Sequence, residues 1–121
     1  MTRSLSDDER AVITRMLTLD AGDEHTGLLS QVPYVTVVGG SVTSRELSTG
    51  AAAATSVPAG AVAAIGVVRT PLGEVVGMIS LWVKDGRLSS LDYGWVTDEP
   101  PLEFPSDSWV EVQPRLQRPT G

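Results

Sequence analysis

Asp92 is the residue in this sequence whose position could support chemistry. It lies between Leu91 and Tyr93 in a run typical of a β-strand. Strict alternation from a two-residue turn at 85–86 places it opposite Ile79, on the aliphatic side of a sheet. Desolvation makes a carboxylate easier to protonate, so an acid in such a pocket could transfer protons near neutral pH. Asp92 is therefore a candidate general acid or base.

Two other interpretations of Asp92 stay open. The carboxylate could cap a backbone amide or pair with an arginine such as Arg69 or Arg45, because a buried charge must be compensated. A slip of one residue in the strand register would instead move Asp92 to the outside of the sheet.

The remaining side chains with chemical potential are few. His25 is the single histidine, which excludes the usual clusters of several histidines around a metal. The chain has no cysteine, so it has no disulfide and no thiolate nucleophile or metal ligand. Asp98 and Glu99 precede two prolines but lack the ligand spacing of a calcium loop. We therefore expect neither a metal nor another cofactor.

A β-hairpin centred on Asp85-Gly86 is the clearest element in the sequence. Two β-rich runs flank this dipeptide, and Asp-Gly suits a type I′ turn, which needs positive φ at both central residues. The turn pairs Lys84 with Arg87 and sets the register. One face is then aliphatic and is expected to form the core, with Val75, Ile79, Leu81 and Val83 opposite Leu88, Ser90, Asp92 and Val96.

The other face of the predicted hairpin is aromatic. It carries Val76, Met78, Ser80 and Trp82 opposite Ser89, Leu91, Tyr93 and Trp95. A solvated sheet face normally shows polar residues, so this face should be covered by a loop or tail, by a second copy of the chain, or by a small-molecule ligand. The interface candidates are Met78, Trp82, Tyr93 and Trp95, together with Asp98 and Glu99 in the acidic loop that follows.

Helices are predicted before the sheet. Ser6 to Glu9 forms a capping box, and an apolar stripe with helical spacing follows it. A second helix is expected from Asp23 or Glu24 to Gln31. The fold class is α+β, with an N-terminal helical hairpin packed on a curved antiparallel meander of about four strands. Residues 1–121 form a single domain, with a flexible loop at 49–60 and a frayed tail at 113–121.

Composition narrows the range of partners. The 121 residues carry a net charge of −6, and the basic residues are scattered. Nucleic-acid and anionic-membrane binding are therefore disfavoured, whereas a basic protein would suit this charge. No apolar run approaches the roughly 20 residues of a membrane span, and the first ten residues do not resemble a secretory signal, which points to the cytoplasm.

The run Asp85 to Pro105, DGRLSSLDYGWVTDEPPLEFP, resembles a family of small, uncharacterised actinobacterial proteins. Their C-terminal half has a "DG-LSSLE" hairpin followed by "DEPP" and a Trp- or Phe-Pro tail, and the capping-box helix and the Val-Val-Gly strand match in order. Those relatives often carry a C-x-C-G-C stretch after that strand. This chain has Ser41-Val42-Thr43-Ser44-Arg45 there, so a metal or redox role does not carry over.

Two functions follow from these residues. The first is a non-catalytic cytoplasmic interaction domain, inhibitor-like or immunity-like, that self-associates or binds a protein partner. The alternative is a small enzyme that uses Asp92 as a general acid or base in an apolar pocket.

Overall fold

Two helices precede most of the sheet in the computed structural model of the protein, which describes residues 2–19 and 23–114, with the backbone alone at 23–25. The helices are α1 (Asp7–Leu19) and α2 (Asp23–Gln31), and a short 3-10 turn follows at Val32–Tyr34. The capping box is confirmed. The N–H of Glu9 donates to Ser6 Oγ at 3.1 Å, and the N–H of Ser6 donates to the Glu9 carboxylate at 2.8 Å.

The strands of the described residues form one antiparallel sheet of eight strands. They are β1 (Arg3–Ser4), β2 (Thr36–Gly40), β3 (Ser44–Ser48), β4 (Gly60–Ala61), β5 (Ala64–Arg69), β6 (Val75–Lys84), β7 (Arg87–Trp95) and β8 (Val110–Pro114). Their spatial order is β1-β2-β3-β7-β6-β5-β8, and β4 pairs with β6. The α+β class is confirmed. The predicted meander of about four strands has too few strands, and it wrongly makes every pair of neighbouring strands consecutive in the chain. The two chain ends add strands, and β3 pairs with the distant β7.

The helices cover one face of this sheet. The apolar stripe of α1 is fully buried there, and the inward residues of β6 and β7 complete the core: Val12, Ile13, Met16, Leu17, Ile79, Leu81, Leu88 and Leu91. The opposite face, which we call the open face, consists of the outward residues of β3, β7, β6, β5 and the edge strand β8: Ser44, Glu46, Ile65, Val67, Arg69, Met78, Ser80, Trp82, Ser90, Asp92, Gly94, Glu111 and Gln113.

The hairpin turn is confirmed, but the strand register beyond it is not the predicted one. Asp85 and Gly86 have φ of 55° and 74°, and Lys84 pairs with Arg87. A bulge then makes Ser89 an extra residue, because Val83 pairs with Leu88 while Trp82 pairs with Ser90. The bulge reverses the direction of every later side chain of β7 relative to strict alternation. It thereby turns both Leu91 and Tyr93 into the core.

The segments predicted to be loose have defined contacts where they are described. In the loop 49–60, the N–H of Thr55 donates to the Gly86 carbonyl at 2.8 Å, and Arg87 donates to Thr49 Oγ1 at 2.9 Å. The predicted tail begins at Gln113, but Gln113 and Pro114 belong to β8. The rest of that tail, residues 115–121, lies outside the described residues.

Candidate functional site

The open face divides into an apolar part and an acidic part. Trp82 and Met78 on β6 expose 39% and 47% of their surfaces, although both are large apolar side chains. Asp92 on β7 lies on the strand next to β6, whereas Glu46 on β3 lies one strand further away, with its carboxylate close to Gly39 on β2. Neither carboxylate forms an ion pair with any residue that the structure describes.

A shallow depression lies where these two parts meet. We call it the Trp82 depression; its volume is about 350 Å³, and it is lined by Met78, Ser80, Trp82, Asp92, Gly94, Trp95 and Val96. The absence of a side chain at Gly94 opens its floor. A Cβ atom at Gly94 would lie 3.9 Å from the Met78 carbonyl oxygen and would meet no closer atom.

Asp92 is not a buried acid, so the placement opposite Ile79 is wrong. It pairs with Ser80 across the strands, is half-buried, and accepts a hydrogen bond from Ser44 Oγ at 2.9 Å. The suggested arginine partners are engaged elsewhere. Arg69 pairs with Glu111 at 3.1 Å, and Arg45 pairs with Glu9. The slip of one residue, which places Asp92 outside, is the interpretation that the structure confirms.

Tyr93 is also placed wrongly by strict alternation. It is buried on the core face opposite Ile79, and this burial raises the pKa of its hydroxyl. Gly77 makes room for the Tyr93 ring, because a Cβ atom on Gly77 would overlap that ring. Tyr93 therefore belongs to the core rather than to an exposed aromatic surface.

The other predicted interface residues lie at and beyond the end of β7. Trp95 pairs with Gly77, so the register places it on the same side of the strand as Tyr93, but at the strand end it is exposed and lines the Trp82 depression. Asp98 and Glu99 are exposed in the loop that follows Val96, and the Thr97 hydroxyl donates to the Glu99 carbonyl at 2.8 Å. The structure thus brings Met78, Trp82 and Trp95 together, with the two acids on the adjoining segment.

Sequence reasoning missed a buried charge cluster on the other side of the sheet. Glu9 is nearly inaccessible and accepts hydrogen bonds from Arg3 at 2.7 and 3.0 Å. Arg45 forms an ion pair with the same carboxylate, and its guanidinium carbon lies 5.0 Å from the centre of the Phe104 ring. The signal for Glu9 was the capping box, but nothing local in the sequence identifies its cationic partners.

No group of three potential metal ligands lies together among the residues whose side chains are described, and the side chain of His25 falls outside them. None of the described helices combines the length and apolar character needed to cross a membrane. Comparison with protein-family models, curated proteins and solved structures finds no match for this chain.

Proposed function

We propose that this chain is a non-catalytic protein-interaction domain of the cytoplasm, with the open face as its interface and a basic protein surface as its partner. The observation that carries the proposal is the exposure of Trp82 and Met78 beside Asp92, a carboxylate with no ion-pair partner among the described residues. Large exposed apolar side chains on a sheet face that no helix covers are typical of contact surfaces. Trp is also among the residues that contribute most binding energy at interfaces.

The charge of the chain supports a basic partner. Asp92 borders the apolar residues, Glu46 lies on the same face, Asp98 and Glu99 are exposed in the loop that follows Val96, and the chain as a whole carries −6. A basic partner would be attracted over a distance and oriented by this field. An inhibitor-like or immunity-like protein that covers a basic surface would use the same arrangement.

A second copy of the chain fits the open face less well. If two open faces met around a two-fold axis that passes near Asp92, this carboxylate would approach the same carboxylate of the other copy. Like charges in contact are costly when water is excluded. Self-association is therefore an outcome that the test must separate from binding of a basic protein.

A photo-crosslinking amino acid at Met78, in cells of the natural host, tests the proposal. Met78 borders the Trp82 depression, whereas Leu72 is exposed in the turn 70–73, away from the open face, and serves as the control position. We expect an adduct with one basic protein at position 78 and none at 72. The adduct should disappear with Trp82→Ala and persist with Trp109→Ala, since Trp109 is 38% exposed but does not belong to the open face.

Two results would overturn the proposal. An adduct of twice the chain's mass at position 78, together with a dimer in sedimentation that Trp82→Ala dissociates, would make the open face a self-association surface. Equal crosslinking at positions 78 and 72, or none at 78, would show that the open face is not an interface.

A further inference from the structure

We infer that the Trp82 depression binds a cationic side chain, arginine above all, which the protein partner presents. The inference rests on the proposed function and adds the chemical class that the site recognises. It follows from the relative positions of the Trp82 indole ring, the Asp92 carboxylate and Gly94, which has no side chain.

The register sets the spacing of the two recognition groups. Trp82 pairs with Ser90, and Ser80 pairs with Asp92, so Trp82 and Asp92 are diagonal neighbours on one face. Diagonal neighbours of this kind lie about 7–8 Å apart. A cation over an indole lies within about 6 Å of the ring centre. A charged N–H donor lies about 2.8 Å from the carboxylate oxygen that it contacts. One guanidinium can therefore contact both groups at once.

The depression has room for this side chain. Gly94 lies opposite Met78 and leaves the space above the strand open. The volume of about 350 Å³ falls at the lower end of the range for ligand pockets. A site of that size suits one long side chain, with its methylene groups against Met78 and its charged end at Asp92.

No cationic side chain among the described residues lines this site. Arg69, on the same face, is paired with Glu111, and Lys84 lies at the turn end of β6 and does not line the depression. The hydrogen bond from Ser44 fixes the Asp92 carboxylate, which as an acceptor of several hydrogen bonds retains capacity for an incoming donor. A guanidinium suits this pair better than an ammonium, because its planar group stacks on the indole while its N–H groups reach the carboxylate.

Titration of the full chain with N-acetyl-arginine amide, followed by nuclear magnetic resonance of backbone amide and indole N–H groups, tests the inference. N-acetyl-citrulline amide is the matched probe, because it has nearly the same shape without the charge. We expect the arginine compound to shift the Trp82 indole and the Ser80 and Asp92 amides, to leave the Trp109 indole unmoved, and to bind about tenfold more tightly than the citrulline compound.

Two variants make the test specific. Gly94→Ile should fill the depression and abolish the shifts while keeping the fold, since Gly94 has no positive φ and an added Cβ atom would meet no atom closer than 3.9 Å. Asp92→Asn should weaken arginine binding toward the level of citrulline binding, with the contact to the Trp82 ring retained.

Equal binding of the two probes would overturn the inference and reduce the depression to an apolar contact, while a crosslink at Met78 would still support the proposed function. Shifts that survive Gly94→Ile, or no shift at the solubility limit of the arginine probe, would also overturn it. Selective arginine binding without a crosslink at Met78 would contradict the proposed function alone.

Discussion

Arg45 on β3 forms an ion pair with Glu9 in the first turn of α1, inside the protein. Arg3 on β1 donates two further hydrogen bonds to the same carboxylate, and the centre of the Phe104 ring lies 5.0 Å from the Arg45 guanidinium carbon. The cluster joins strands β1 and β3, the start of α1 and the segment between β7 and β8. Breaking such a pair by removing one partner costs more than the pair contributes, because it leaves a buried charge uncompensated.

The first prediction concerns Glu9 and pH. Burial raises the pKa of Glu9, but hydrogen bonds from Arg3 and the Ser6 backbone and the charges of Arg45 and Arg3 outweigh it, lowering the pKa from 4.5 to about 2. A carboxylate whose folded pKa is lowered stabilises the fold fully above its unfolded pKa, and this contribution is lost as pH falls toward the folded pKa. Glu9→Gln should therefore cost about 2–4 kcal/mol at pH 7, with a smaller deficit as pH falls from 5 to 2.

Urea unfolding across that pH range measures the effect. Asp7→Asn, in the same helical turn but exposed, is the matched control and should change stability by less than about 0.5 kcal/mol. A deficit for Glu9→Gln that stays constant down to pH 2 would contradict the assignment of the acid transition to Glu9.

The capping box and the ion cluster show where sequence information ends. Ser6 and Glu9 are three residues apart, and their contact follows from helix geometry alone, so the pattern predicts it. Arg3 and Arg45 meet Glu9, and Phe104 meets Arg45, only because β1, β3 and the segment between β7 and β8 come together in the fold. Nothing in their spacing along the chain specifies that meeting.

The second prediction concerns Gly86. Its φ of 74° is strained for other residues, and a Cβ atom there would overlap the carbonyl oxygen of Thr55. Gly86→Ala should therefore destabilise the fold by more than about 2 kcal/mol, because strain and steric overlap combine. Gly73 separates backbone strain from steric overlap, since its φ is 89° but a Cβ atom there meets open space. Gly73→Ala should cost about 1 kcal/mol in the same thermal unfolding measurement, and equal losses at both sites would show that Thr55 does not press on the turn.

The spacing of the apolar residues in β7 indicates a bulge, which strict alternation from the turn does not include. The buried apolar residues of this strand are Leu88, Leu91 and Tyr93, so their spacing is three and then two. A strand that keeps all three in the core needs one extra residue between Leu88 and Leu91, and the bulge at Ser89 supplies it. The turn type predicts the first residue pair of the hairpin, but the burial of Leu91 and Tyr93 decides the register of the pairs beyond the bulge.

Gln31 provides the third prediction. It is fully buried at the end of α2 and makes three hydrogen bonds. Its Nε2 donates to the carbonyls of Ala53 at 2.9 Å and Gly86 at 3.0 Å, and its Oε1 accepts from the N–H of Leu88 at 3.0 Å. Gln31→Met keeps the length and helix propensity of the side chain but leaves a buried N–H without its partner. It should cost about 2–3 kcal/mol and accelerate hydrogen exchange of the Leu88 amide.

Gln113→Met on β8 is the control for Gln31, because it makes the same chemical change at a half-buried position of the open face. Its stability should stay within about 0.5 kcal/mol of the wild-type value. If Gln31→Met leaves the exchange rate of Leu88 unaltered, the side chain does not hold the loop 49–60 against the hairpin turn.

The last prediction decides between the two registers of β7 through Asp92. Strict alternation would bury this carboxylate opposite Ile79, where Asp92→Asn should stabilise the fold at neutral pH by removing a desolvated charge. In the bulged register Asp92 is half-buried on the open face, and an amide oxygen at the same place can still accept the hydrogen bond from Ser44. Asp92→Asn should therefore change the free energy of unfolding by less than about 1 kcal/mol at pH 7, and Ser44→Ala should have a similarly small effect. A stabilisation of several kcal/mol would restore the buried acid and with it the case for proton transfer; a small change would leave Asp92 a surface group, suited to contact a ligand.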